Sequence, residues 1–301
     1  MASDTPTPTT ASPFSRGVLY EKLVGETSTR LCAIALSYLP LASYTSDSRI
    51  LDSASGPGIA TKLLLSPAPP DYLPPAVAGL LPLASAPRVE AVDASAAMVA
   101  RYRANAAALG WATATAAQRD AQDLSAFATA SFDAVVMGLG IFALRDAAAG
   151  AAEMRRVLRP GARALVTTWK TRRPQDLMAH AAAVIRPPGA PGAGGGSSSS
   201  AMDLDPKWLT SGHLVDVMVA GGFRPEDIEV HEAAPDWRLG SREALLEALG
   251  SPMWTAVFCD GWSEEERARW PVEIEKLLTE EEKATGTLSM VAHICVARKE
   301  G

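Results

Sequence analysis

Ile50-Leu51-Asp52-Ser53-Ala54-Ser55-Gly56-Pro57-Gly58-Ile59-Ala60-Thr61 is an apolar run that breaks into a small, glycine-bearing turn and then resumes as the start of a helix. Such a turn lets backbone N–H groups approach a ligand closely at a helix N-terminus, because glycine puts no Cβ in the way. A second apolar run, Val89-Glu90-Ala91-Val92-Asp93, ends on a lone carboxylate. At a strand end in a doubly wound sheet, that carboxylate can accept both hydroxyls of a ribose lying across the strand edges.

Three more segments follow in order: Arg119-Asp120-Ala121-Gln122-Asp123-Leu124, then Ser131-Phe132-Asp133-Ala134-Val135-Val136-Met137-Gly138-Leu139-Gly140, then Arg156-Val157-Leu158-Arg159-Pro160-Gly161-Ala162. On these residues the chain resembles the class I S-adenosylmethionine (SAM) dependent methyltransferases, whose first motif is Asp-x-Gly-x-Gly-x-Gly. A single Gly-rich turn is a weak signal, but four matched segments in order over residues 50–169 are specific. Asp52, Gly56 and Gly58 keep the motif, and Ala54 stands at its first glycine. Within the class, Met137 to Phe142 and Arg156 to Gly161 are similar to the small-molecule, quinone-type C-methyltransferases. Those continue with Arg-Asn where this chain has Ile141-Phe142, a departure that argues against a quinol.

A dehydrogenase is the rival nucleotide-binding reading. It needs Gly-x-Gly-x-x-Gly and a carboxylate about 20 residues further on. Here Gly56-Pro57-Gly58 is followed by Ile59-Ala60-Thr61, with no third glycine. The spacing to Asp93 excludes neither cofactor, whereas the later Asp-Ala and Arg-Pro-Gly segments favour SAM. A Rossmann oxidoreductase stays as a distant alternative.

Short apolar strands alternate with helices, which predicts an α/β fold with a doubly wound, mostly parallel sheet and helices on both faces. Strands are expected at 49–53, 89–92, 113–117, 133–137 and 164–169. Helices are expected at 58–65, from Ser95 to Gly110, and at 146–158. Two helices are expected between Phe14 and Leu39, and a helical turn near 76–81 within a proline-rich stretch. Beyond Trp169 come helices near 174–185, 210–220, 241–249 and 263–281, and strands at 228–231 and 289–296. By resemblance these last two complete a seven-stranded sheet with an antiparallel last strand. The expected organisation is a disordered tail (1–13), an N-terminal helical lid (14–47) and a SAM-binding core (48–170). A helical insertion (171–222) carries a flexible Gly/Pro/Ser loop at 186–200, and residues 223–301 complete the same domain.

With 301 residues and 48% hydrophobic content, the chain can bury a sizeable core without disulfides. Cys32, Cys259 and Cys295 fit neither a disulfide framework nor a zinc site and read as reduced thiols in a cytoplasmic protein. A formal charge of −6 with no Lys/Arg cluster disfavours a nucleic-acid partner and leaves a small molecule as the substrate. No apolar run is long enough to span a bilayer, so no membrane partner is expected. His180, His213, His231 and His293 are too scattered for a metal site, and no metal is expected.

The resemblance implies roles for particular residues. Asp52, Ser53, Ala54, Ser55, Gly56 and Gly58 would surround the methionine part of SAM, and Asp93 would take the ribose hydroxyls. Ala94 and Met98 would pack near the adenine, Asp120 would accept its amino hydrogen, and the Ala121 N–H would meet a ring nitrogen. Gly138 and Leu139 would pass along the sulfonium side, and Tyr20 of the N-terminal helices is a further contact. Phe142 and Trp169, at strand ends, point to an apolar or aromatic substrate, with a core role as the alternative. Trp208, Trp237, Trp254, Trp262 and Trp270 are expected mainly to pack. The implied activity is methyl transfer to a small metabolite, with no catalytic base assigned. Because Ala54 puts a methyl group at the closest approach to the cofactor, a SAM-fold protein with a non-methylating role is the alternative.

Overall fold

The computed structural model describes residues 17–67, 70–81, 83–187 and 204–301. The expected tail at 1–13, and the expected loop from residue 188 onward, lie outside the described residues, as does the side chain of Tyr20. A seven-stranded sheet forms the centre. Its strands are β1 (Arg49–Ser53), β2 (Arg88–Asp93), β3 (Ala114–Gln118), β4 (Phe132–Gly138), β5 (Leu158–Arg172), β6 (Ile228–Ala233) and β9 (Met290–Arg298), in the order β3-β2-β1-β4-β5-β9-β6. All run parallel except β9, which is antiparallel to both β5 and β6. Two short strands, β7 (Trp237–Arg238) and β8 (Thr287–Leu288), pair separately.

The central strands read as continuous apolar runs because helices cover both faces. Side chains alternate between two cores. Ile50, Val89, Val136, Leu165 and Ile294 face one, with helices α1 (Gly17–Leu36) and α2 (Ile59–Leu65) and the short α3 (Pro75–Ala78). Leu51, Val92, Val135, Val166 and Cys295 face the other, with α5 (Ala147–Val157) and α7 (Ser211–Ala220). Helix α4 (Ala96–Leu109) starts on Ser95, whose side chain caps Met98 N, and stops on left-handed Gly110. A third cluster joins α6 (Arg173–Ile185), α8 (Arg242–Leu249), α9 (Pro252–Phe258) and α10 (Glu264–Leu277) through Trp237, Trp254 and Trp270. Full burial of each large apolar side chain stabilises by about 1.5–3 kcal/mol.

Some elements differ from expectation. The N-terminal pair of helices is one 20-residue helix followed by a single 3₁₀ turn at Leu41–Ser43. Its second half continues through Leu31, Ala33, Ala35 and Leu36, all buried. Strand β5 begins at Leu158, directly after α5, because Leu158 already pairs with Phe132 before the register shifts around left-handed Gly161. The helix expected at 263–281 is two, α10 and α11 (Glu280–Thr285), each opened by its own capping box, Ser263 with Glu266 and Thr279 with Glu282. Helix α9 and the β7–β8 pair were not foreseen, being short pieces fixed by tertiary packing.

Candidate functional site

At the C-terminal ends of β1, β2 and β4 the strand order reverses direction from β1, which is where ligands bind in open α/β sheets. A cavity of about 430 Å³ opens there. Neighbouring strands are about 4.8 Å apart, so a ligand reaching from the end of β3 to β5 would span roughly 19 Å.

The turn after β1 is built from left-handed residues: Ala54 (φ +52°), Gly56 (φ +53°) and Gly58 (φ +91°). It is tied to β2 by Ser55 N donating to Val92 O at 3.0 Å and by Gly56 N donating to Asp93 Oδ2 at 2.9 Å. Asn105 of α4 holds it from behind, donating to Pro57 O at 2.9 Å. A Cβ on Gly56 would meet open space, whereas one on Gly58 would lie 2.7 Å from the Tyr102 ring. Gly58 therefore serves the close packing of α2 on α4 and does not line the cavity.

Asp52 is 3% exposed. Its Oδ2 accepts from Thr61 Oγ1 at 2.7 Å and Thr61 N at 3.3 Å, and Tyr102 OH donates to Thr61 Oγ1 at 2.9 Å. Burial pushes its carboxyl up to about 7, against the lowering effect of the Thr61 hydrogen bonds, and the charge of Asp93 adds to the rise. A buried carboxylate in this state favours a cation beside it. Asp93 Oδ1 accepts Ser95 N at 2.8 Å, so the carboxylate starts α4 as well as holding the Gly56 turn. Two such bonds leave lone pairs for a ligand hydroxyl. Asp120 is exposed and accepts from Gln122 N at 2.9 Å.

The cavity brings together Asp52, Ala54, Ser55, Gly56, Asp93, Ala94, Met98, Asp120, Ala121, Gly138 and Leu139. Ser53 does not line it, being fully buried in β1. Phe142 and Trp169 do not line it either. Phe142 packs edge-on against Trp208 with ring centroids 6.5 Å apart, and half-buried Trp169 joins all three apolar clusters. The five C-terminal tryptophans are likewise absent from the lining.

Sequence reasoning missed Ser28, Leu31 and Cys32 of α1, Thr167 of β5, and Gly140, Ala143 and Leu144 after β4. Residues of α1 carry no motif, so nothing in the sequence marks them. Gly140 carried a usable signal, since it closes the quoted β4 segment. Its Cβ would lie 2.7 Å from the methyl of Ala54. Leu139 is left-handed (φ +56°), with its N–H donating to Thr167 Oγ1 at 3.0 Å. Strained non-glycine residues on both sides of one cavity are what functional sites tend to collect. Burial, with the nearby Asp52 charge, pushes the Cys32 thiol up, so it stays protonated. None of the histidines lines the cavity, and among the described residues no three His, Cys, Asp or Glu side chains gather as a metal-ligand set.

Residues 78–161 match the sequence model of a family described as a methyltransferase domain. No curated protein matches the chain in sequence. Among solved structures it is similar to the YcgJ protein of Bacillus subtilis, with 15% identity, 91% of this chain and 98% of that chain covered and a TM-score of 0.53. It is also similar to Haemonchus contortus phospholethanolamine N-methyltransferase 2, solved with phosphomonomethylethanolamine and S-adenosylhomocysteine, at 16% identity over 98% of this chain and 61% of that chain, with a TM-score of 0.53. At such identities the likeness is one of fold. The buried Asp52 carboxylate, the Asp93 acceptor at the end of β2 and the open Gly56 turn fit a nucleoside that also carries positive charge. Residues 78–161 thus match a methyltransferase domain, set in a seven-stranded α/β sheet whose fold these solved structures share.

Proposed function

We propose that the protein transfers the methyl group of SAM to a small, apolar or aromatic metabolite, without a metal. The observation that carries this reading is the asymmetry of the cavity. Asp93, Arg119 and Asp120 come from the ends of β2 and β3, whereas the lining contributed by α1 (Ser28, Leu31, Cys32) and by the ends of β4 and β5 (Leu139, Gly140, Thr167) carries no charge. A formal charge of −6 argues in the same direction, against a nucleic-acid acceptor.

When bound, SAM supplies a methyl group already activated on a sulfonium. The chain's task is then to hold and orient. Asp93 and Asp120 would fix the nucleoside, Met98 and Ala121 would pack against its base, and Asp52 would face the ammonium and sulfonium charge. Leu31, Cys32 and Leu139 would exclude water and hold the acceptor in line; such positioning supplies about 7–11 kcal/mol in favourable cases. The protonated Cys32 thiol is no base, and no side chain is assigned that role.

The test is incubation with methyl-labelled SAM and a metabolite extract, with and without chelator, following label into small molecules, protein and nucleic acid. Label is expected in a small apolar fraction, unchanged by chelator. Label in RNA or protein would overturn the acceptor class, and loss of transfer with chelator would overturn the metal-free reaction. Bound SAM without transfer to any acceptor would favour the non-methylating alternative.

A further inference from the structure

A second cavity, of about 410 Å³, lies against the same turn that borders the cofactor cavity. Pro57 and Ile59 line both cavities, whereas Gly56 lines only the first and Gly58 only the second. Its volume falls in the range of about 300–1,000 Å³ common to small-molecule sites. Lys62 of α2 and Arg101 of α4 bring one cation each to the lining, and Tyr72 and Trp111 bring two aromatic rings. Among the described residues Glu26 is the one carboxylate in that lining, and it is already paired with Arg30. Lys62 is half-buried, and among the described residues no carboxylate pairs with it. In a chain of formal charge −6, an uncompensated ammonium at a concave surface is a place for an anion. Trp111 is 4% exposed and its Nε1 already donates to Ser66 Oγ at 3.4 Å, so its ring offers this cavity apolar surface. The methyl transfer proposed above uses none of Lys62, Arg101, Tyr72 and Trp111.

We propose that this cavity is a second small-molecule site, which takes a flat aromatic ring bearing a carboxylate. The carboxylate would pair with Lys62 and Arg101, and the ring would lie against Tyr72 and Trp111. Asn105, also in the lining, donates to Pro57 O at 2.9 Å, so α4 ties this cavity to the turn that Asp93 holds through Gly56 N. Occupancy of one cavity therefore changes the affinity of the other, by the same factor in both directions. Only this coupling rests on the first cavity being the SAM site.

The test uses the full chain, with cinnamate as the probe and calorimetric titration as the readout. One saturable site per chain is expected in the wild type. Lys62→Gln and Arg101→Gln should each weaken it about tenfold or more, since a charge-assisted hydrogen bond is lost in each. The uncharged cinnamamide should bind the wild type about tenfold or more weaker than cinnamate, a comparison that needs no variant to fold. With S-adenosylhomocysteine saturating, cinnamate should keep its stoichiometry and change its affinity about threefold or more. Absence of saturable binding, equal affinity for acid and amide, or wild-type affinity in either folded variant would overturn the site. Loss of stoichiometry under S-adenosylhomocysteine would put the probe in the cofactor cavity and overturn it as well, and an unchanged affinity would overturn the coupling. Failure of the wild type to bind S-adenosylhomocysteine would count against the cofactor reading alone, and the comparison of acid, amide and variants would still decide the second site.

Discussion

Asp52 joins sequence to chemistry through a single proton. Its carboxyl, at about 7, stands well above the ordinary value of 3.8, with burial as the main cause. The native state therefore holds this proton more tightly than the unfolded chain does. The stability that Asp52 contributes is complete below about pH 4 and is lost as pH rises to about 7. A bound cation reverses the preference, since it favours the ionised form. SAM affinity should rise about tenfold from pH 6 to pH 8, with release of a proton, because only the ionised fraction is competent. Calorimetric titration in buffers of different ionisation enthalpy reads both quantities. Asp52→Asn should flatten the dependence; a slope of wild-type size in that variant would assign it to another group.

The turns after β1 and β4 meet at Ala54 and Gly140, where the methyl of one fills the space a Cβ on the other would need. A left-handed alanine costs about 1–2 kcal/mol relative to glycine's freedom there. Gly140, at φ −107°, is under no such demand and is glycine for lack of room. Gly140→Ala alone should destabilise by about 1–3 kcal/mol through overpacking. In an Ala54→Gly background the loss should shrink, leaving only the approach to Met137 Cγ at 3.1 Å. Additive losses in denaturant unfolding of the four chains would show that the two turns do not compete for that space. The sequence displayed half of this arrangement. Ala54 was visible as a departure from Asp-x-Gly-x-Gly-x-Gly, but its partner was not, because the two residues meet only when β1 and β4 pair. The same limit hid Ser28, Leu31 and Cys32, which reach the cavity only because α1 packs across the sheet. It also hid the tie from Thr27 to Asp236, across 209 positions. By contrast, strands β1 to β4 were legible from their apolar runs, and α4 from its caps. The break between α10 and α11 was legible too, in the repeated Ser/Thr-x-x-Glu pattern.

At the scale of the molecule, three apolar clusters meet on Trp169, while the cavity sits at the reversal of strand order between β1 and β4. That division puts Phe142 and Trp169 among the packed layers, while the smaller Leu139 and Thr167 face the cavity. It also places the Asp93 carboxylate at the end of β2, where the Gly56 turn, the start of α4 and the cavity converge. The most direct measurement is calorimetric titration of S-adenosylhomocysteine into the wild-type chain and into Asp93→Asn, with thermal unfolding of both. One site per chain is expected. Loss of a charge-assisted hydrogen-bond acceptor should weaken it about 10- to 100-fold, while a remaining carbonyl oxygen keeps much of the turn's backbone bonding and the fold. Unchanged affinity in a folded Asp93→Asn chain, or binding of a nicotinamide dinucleotide in place of S-adenosylhomocysteine, would contradict it.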